Sequence, residues 1–121
     1  MKTIEERRRL FLDKTVEYYG EDLSRRAINE DDSCYYRASD GKKCAIGRHI
    51  PDDKYSEDIE GNFVKAIFNL LPSEIQEFGT KFLSNVQMLH DENEYWNYKE
   101  GKGLSERGKQ KYDYIIKRYC K

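Results

Sequence analysis

Ionic side chains equal apolar ones in this chain, at 37% of the residues each, and that parity limits what it can fold into. A chain of 121 residues carrying so much charge must build a thin core inside a heavily solvated shell. Its length fits one domain, residues 1–121, hiding roughly 65% of the surface that the unfolded chain exposes. The charges nearly cancel, with 22 Lys and Arg against 23 Asp and Glu. Neither sign is in surplus, which argues against long nucleic acid or an anionic membrane as a partner. No apolar run approaches the ~20 residues of a membrane span. The opening MKTIEERRRLF lacks the apolar segment of a secretory signal. A soluble, cytoplasmic protein is expected. Cys34, Cys44 and Cys120 are odd in number, which fits free, buried thiols in a reducing compartment. Structural zinc needs a closely spaced cysteine pair, and Cys34 and Cys44 with His49 and His90 do not supply one. No metal and no cofactor is expected, and whether Cys34 meets Cys44 stays open.

Hydrophobic spacing places the elements. Thr3 and Glu6 form a capping box ahead of a helix with Ile4, Phe11, Leu12, Val16 and Tyr19 on one face. Gly20 is placed to end it. Residues 21–33 read as a helical turn and then a loop, and the acidic Glu30-Asp31-Asp32 lacks the alternation of a calcium loop. Next come Cys34-Tyr35-Tyr36-Arg37, a Ser39-Asp40-Gly41-Lys42 turn, and Lys43-Cys44-Ala45-Ile46-Gly47, which together predict a β-hairpin. After Pro51 a loop leads to a helix over 62–71 with Phe63, Ile67, Leu70 and Leu71 inward. Pro72 stops it and Ser73 starts another, whose stripe Ile75, Phe78, Phe82, Val86 and Leu89 continues to about His90. Residues 91–103 read as a loop. Ser105 to Tyr119 reads as a helix with Leu104, Tyr112, Ile115, Ile116 and Tyr119 on one face. Gly108 falls on that stripe, implying a close helix approach at a cost of roughly 1 kcal/mol against Ala. The expected class is α+β, three to four helices packed around a β-hairpin.

Little in the sequence points to catalysis. Cys44 with His49 is the only nearby thiol–imidazole pair, and Cys44 lies in an apolar run where a thiol is inert. No glycine-rich phosphate loop is present, and no catalytic residue is assigned. Aromatics are abundant: ten Tyr, five Phe and one Trp. Between Tyr35 and Tyr55 they mix with cations, and Tyr35, Tyr36, Arg37, Lys43, Arg48, His49 and Tyr55 form the candidate ligand set. Arg and Lys pair with phosphates and Tyr stacks on a base, so this mixture suits a small nucleotide-like anion. The same mixture also suits a half-buried packing surface. A second candidate is the acidic, aromatic stretch around Tyr95, Trp96 and Tyr98, whose side chains fit a protein contact.

The pattern Cys34-x-Tyr36-Arg37, Gly41-x-Lys43-Cys44-Ala45-Ile46-Gly47, Ile50-Pro51-Asp52-Asp53-x-Tyr55 and Ile59-Glu60-Gly61 resembles a family of small uncharacterised proteins of tailed phages and prophages. It continues in Leu83-x-x-Val86-Gln87-x-x-His90-Asp91 and Trp96, leaving the first and last helices outside. The resemblance brings a setting, the cytoplasm of an infected bacterium, and no activity. Small phage accessory proteins often disable host immunity. With the Tyr/Arg cluster, this implies a non-enzymatic counter-defence protein that sequesters a small nucleotide-derived immune signal, as a homo-oligomer. Two readings compete: a protein-binding inhibitor of a host defence effector, of the anti-CRISPR kind, and a small nucleotide-processing enzyme using His49 or His90 as base.

Overall fold

Thr3 opens the longest helix as its sequence predicts. The computed structural model describes residues 2–28 and 34–121, and α1 runs over Ile4–Glu21. Thr3 Oγ1 accepts the Glu6 amide at 3.1 Å while Glu6 Oε1 accepts the Thr3 amide at 3.1 Å, completing the capping box. Phe11, Leu12, Thr15 and Tyr19 are buried along α1, with Ile4 and Val16 packed at the edge of the core. The helix passes through Gly20 and stops at Asp22, whose carboxylate caps a tight turn at Leu23–Arg25 through the Ser24 amide. Gly20 serves a close approach instead: its carbonyl accepts the Gly103 amide at 2.9 Å.

The remaining helices are α2 (Val64–Ile67), α3 (Ser73–Gln76), α4 (Thr80–Asp91) and α5 (Glu106–Tyr119). The single helix expected from Ser73 to His90 is split, because Gly79 adopts φ +87° between α3 and α4. The apolar stripe survives the break. Phe78 and Phe82 lie on either side of it with ring centroids 5.7 Å apart, and both meet Phe11 of α1. Arg8 ties the three helical regions together, donating to the Phe78 and Tyr119 carbonyls at 3.1 Å each. In the 62–71 segment the inward register differs from expectation. Val64, Ile67 and Leu71 are buried, and Phe63 is 87% exposed. Ser105 caps α5 by accepting the Gly108 amide at 3.0 Å. A Cβ on Gly108 would lie 1.9 Å from the Tyr95 carbonyl oxygen, which is the close approach the sequence implied.

The fold is helical, and the α+β expectation with its β-hairpin is wrong. Among the described residues extended pairing is confined to three isolated bridges: Ile28 with Cys34, Arg37 with Lys43, and Trp96 with Leu104. The Asp40-Gly41 turn itself forms, with Gly41 at φ +90° and its amide on the Ala38 carbonyl at 3.0 Å. Two features stop the ladder. On the first arm the consecutive Tyr36 and Arg37 amides both donate to the Glu60 carboxylate, at 2.7 and 3.0 Å, whereas in a strand they would point to opposite sides, and the Tyr36 amide is thereby withheld from the second arm. On the second arm Cys44, Ala45 and Ile46 are all 0% exposed, which a strand alternating between two faces cannot achieve unless both are covered. The chain instead coils: Arg48 donates to the Cys44 carbonyl at 3.1 Å and Gly47–His49 forms a tight turn. Gly47 permits this, since a Cβ there would sit 2.1 Å from the Tyr36 carbonyl oxygen.

Candidate functional site

Glu60 decides where much of the expected ligand set goes. Besides the two amides, its carboxylate accepts the Tyr55 hydroxyl at 2.6 Å. Desolvation first, and Glu60 second, push that hydroxyl up to about 12. Arg37 lies over the Tyr55 ring at 4.6 Å, donates to the Ile50 carbonyl at 2.8 Å and pairs with Asp52 at 2.7 Å. Tyr36 is buried and donates its hydroxyl to the Asn62 carbonyl at 2.6 Å. His49 stacks on Phe11 with centroids 4.9 Å apart, and burial, with Arg48 as a lesser cause, lowers it to about 4. Tyr35 is half-buried beside Cys34 and Gly61. Of these five, Tyr36, Arg37 and Tyr55 spend their polar groups on partners within the chain.

Lys43 and Arg48 have a different setting. They line a cleft of about 440 Å³ between the C-terminal end of α1 and the Asp40-Gly41 turn, together with Arg25, Lys42, Tyr18 and Asp40. Two guanidinium groups converge on the partly exposed Tyr18 ring: Arg48 at 4.2 Å and Arg25 at 4.6 Å from its centroid. Arg25 also donates to the Tyr18 carbonyl at 2.8 Å, capping a free carbonyl at the end of α1, and reaches Glu21 at 3.4 Å. Lys42 has only a loose pair with Asp40 at 3.6 Å. Lys43 and Arg48 have no carboxylate within salt-bridge distance among the described residues. Four cations and one carboxylate, Asp40, line the cleft, and Glu21 and Asp22 flank it beside Arg25 and Lys42. Sequence reasoning missed Tyr18 and Arg25. The signal was present, because adjacent Tyr18 and Tyr19 on a helix cannot both face the core, and Tyr19 belongs to the buried stripe.

A second cluster gathers Cys34, His90 and Asp91, with one ligand atom of each within 4.8 Å of the others. Its hydrogen bonds tell against a metal centre. The Ala27 amide, which can only donate, points to His90 Nε2 at 3.3 Å, so the imidazole proton belongs on Nδ1, donated to Asp91 Oδ1 at 2.8 Å. A metal ion on Nδ1 would move that proton to Nε2, against the Ala27 N–H. Burial lowers the His90 pKa and outweighs the opposing pull of Asp91, so the contact is a hydrogen bond to a neutral ring rather than an ion pair. Cys34 donates to the Asp91 carbonyl at 3.4 Å, and burial, with Asp91 next, pushes its thiol up to about 12. Gln87 completes a joint between α4 and the coiled segment, accepting the Ile46 amide and donating to Asp91. Arg26, 2% exposed, extends it to the His90 carbonyl, Asn93 and the Tyr98 hydroxyl.

In the stretch considered for protein contact only Trp96 is buried. Trp96 is 3% exposed and donates its indole N–H to the Leu89 carbonyl at 2.9 Å; Tyr95 is half-buried, and Tyr98 alone of the three is exposed. All three cysteines are free, with Cys44 fully buried. The acidic trio Glu30-Asp31-Asp32 lies outside the described residues. Among those described, no helix is long and apolar enough to cross a membrane. No family model, curated protein or solved structure matches this chain.

Proposed function

We propose that the protein captures a small, phosphate-bearing, nucleotide-derived signal in the cleft at the end of α1, holding it without transforming it. The observation that carries this reading is the convergence of Arg25 and Arg48 on Tyr18 with Lys42 and Lys43 beside them. Like charges held together in an open cleft repel one another, and an anionic ligand relieves that repulsion while gaining several charge-assisted hydrogen bonds. The described lining includes neither an imidazole nor a thiol, and its carboxylate, Asp40, already accepts from Lys42. That favours capture over turnover. The resemblance to phage and prophage proteins gives the capture a setting, an infected bacterium in which removing a nucleotide-derived alarm signal serves the phage.

Native mass spectrometry on protein isolated from signal-producing cells, followed by denaturation and analysis of released small molecules, tests the proposal. An intact phosphate-bearing compound, lost in an Arg25→Ala/Arg48→Ala variant, is the expected result. Processed products would replace capture by catalysis. A ligand-free protein that also fails to bind added nucleotides would overturn the proposal.

A further inference from the structure

Resting on that reading, we infer that the cleft reads phosphate groups and is blind to the base: its ligand class is compounds with two or more adjacent phosphates. Base recognition in a small site comes from a free aromatic face to stack on, or from neutral donors and acceptors fixed at the base edge. The cleft is poor in both. The Tyr18 ring carries two guanidinium groups, at 4.2 and 4.6 Å, and meets the Tyr19 ring edge-on at 4.9 Å. Tyr19 is 0% exposed and donates its hydroxyl to the Lys43 carbonyl. Tyr18 therefore positions the guanidiniums rather than stacking on a ligand.

Of the neutral hydroxyls in the lining, only that of Tyr18 has no hydrogen-bond partner among the described residues, a single group where a base edge needs a matched set. The Ser24 hydroxyl donates to Asp22 at 2.6 Å, and Asp40 accepts both the Lys42 amide and its ammonium. The charged groups left for a ligand are the ammonium of Lys43 and the guanidinium of Arg48, with Lys42 in a loose pair at 3.6 Å and Arg25 anchored through one nitrogen to the Tyr18 carbonyl at 2.8 Å and to Glu21 at 3.4 Å. Guanidinium forks match phosphate oxygens in pairs, and an ammonium adds a point charge beside them. A lone orthophosphate is small for a cleft of about 440 Å³ and reaches few of the four groups at once, whereas a diphosphate can span more of them. Tyr35, Tyr36 and Tyr55, which the sequence suggested as base platforms, do not line this cleft.

Calorimetric titration of the full chain with five probes separates the possibilities: orthophosphate, pyrophosphate, adenosine diphosphate, uridine diphosphate and adenosine. Pyrophosphate is expected to bind at least about tenfold tighter than orthophosphate and to displace either nucleotide, with adenosine silent. The two nucleotides should differ by less than about threefold, and Arg48→Ala should weaken all phosphate compounds together by about tenfold or more. Arg48 is exposed, so that variant is expected to fold, which its helical circular dichroism verifies. Nucleotide binding that pyrophosphate cannot displace, or that prefers one base by more than about tenfold, overturns base-blindness and leaves capture standing. If no phosphate compound binds, or Arg48→Ala changes nothing, capture at this cleft falls too.

Discussion

The Glu60 carboxylate accepts the Tyr36 amide at 2.7 Å and so takes the donor that a hairpin ladder would give to the second arm. Its other oxygen takes the Arg37 amide and the Tyr55 hydroxyl. One side chain thus gathers two consecutive amides, which a strand would point to opposite sides, and draws a segment of strand-like composition out of the ladder. Removing it leaves two backbone donors and a phenol without their acceptor. Hydrogen bonds to a charged group contribute roughly 1.5–3 kcal/mol apiece, and the unpaired amides can turn partly to water, so Glu60→Ala should cost about 3 kcal/mol in urea unfolding. Glu60→Gln should cost less, because its amide retains one good acceptor. A loss below about 0.5 kcal/mol for Glu60→Ala would mean that the clamp does not hold the turn.

Gly47 and Gly108 make opposite predictions at the local and tertiary levels. By helix propensity alone, Gly108→Ala within α5 should stabilise by about 1 kcal/mol. The packing reverses that, because the added Cβ would lie 1.9 Å from the Tyr95 carbonyl oxygen. The Gly47 Cβ would lie 2.1 Å from the Tyr36 carbonyl oxygen, again backbone that cannot rotate away. Each substitution should therefore destabilise by about 3 kcal/mol or more, measured as a fall in unfolding midpoint at unchanged denaturant slope. A stabilised Gly108→Ala variant would place α5 farther from Tyr95 than described here.

Local chemistry made part of this structure readable. The Thr3–Glu6 box and the stripe through Phe82 and Val86 depend on neighbours in sequence, and each forms as its spacing predicts. What escaped depends on distant partners. Nothing near Tyr36 announces that a glutamate 24 residues later will take its amide. The cleft was half legible: Lys43 and Arg48 lie in the candidate stretch, but Tyr18 and Arg25 come from α1 and the turn after it. Nor does the chain around Gly79 distinguish a helical glycine from one at φ +87°, since the apolar period continues across it.

Phe63 and Phe82 show what a one-residue difference of register does to energetics. Both fall on predicted helical stripes, yet Phe63 is 87% exposed and Phe82 is 1% exposed. Phe82→Ala removes a ring packed against Phe11, Phe78 and Tyr119, and should cost about 3–5 kcal/mol. Phe63→Ser should stay within about 0.5 kcal/mol of the parent. Chemical denaturation of the pair checks both, and a large loss for Phe63→Ser would restore the inward register that the sequence suggested.

Two histidines set the acid side of the stability profile. His90 is fully buried, with the Ala27 amide on one nitrogen and Asp91 on the other, and burial lowers its pKa. His49, against Phe11, is lowered to about 4. In the unfolded chain both titrate near 6.5, so below that pH the unfolded state binds protons that the folded state refuses. Stability is then full above about pH 6.5 and falls as the pH drops toward 4, by up to about 1.4 kcal/mol per pH unit for each histidine. Glu6 and Asp22, held below the ordinary carboxylate range by bonds from Thr3 and Ser24, add to the loss only at lower pH, near and below their ordinary values of 4.5 and 3.8. Urea unfolding at pH 7.5, 6.0 and 5.0 separates the two ranges. His49→Phe, which keeps a ring on Phe11, should remove about half the slope between pH 6.0 and 5.0 and leave the pH 7.5 value nearly unchanged. A profile equally steep in that variant would leave His90 as the source of the whole loss.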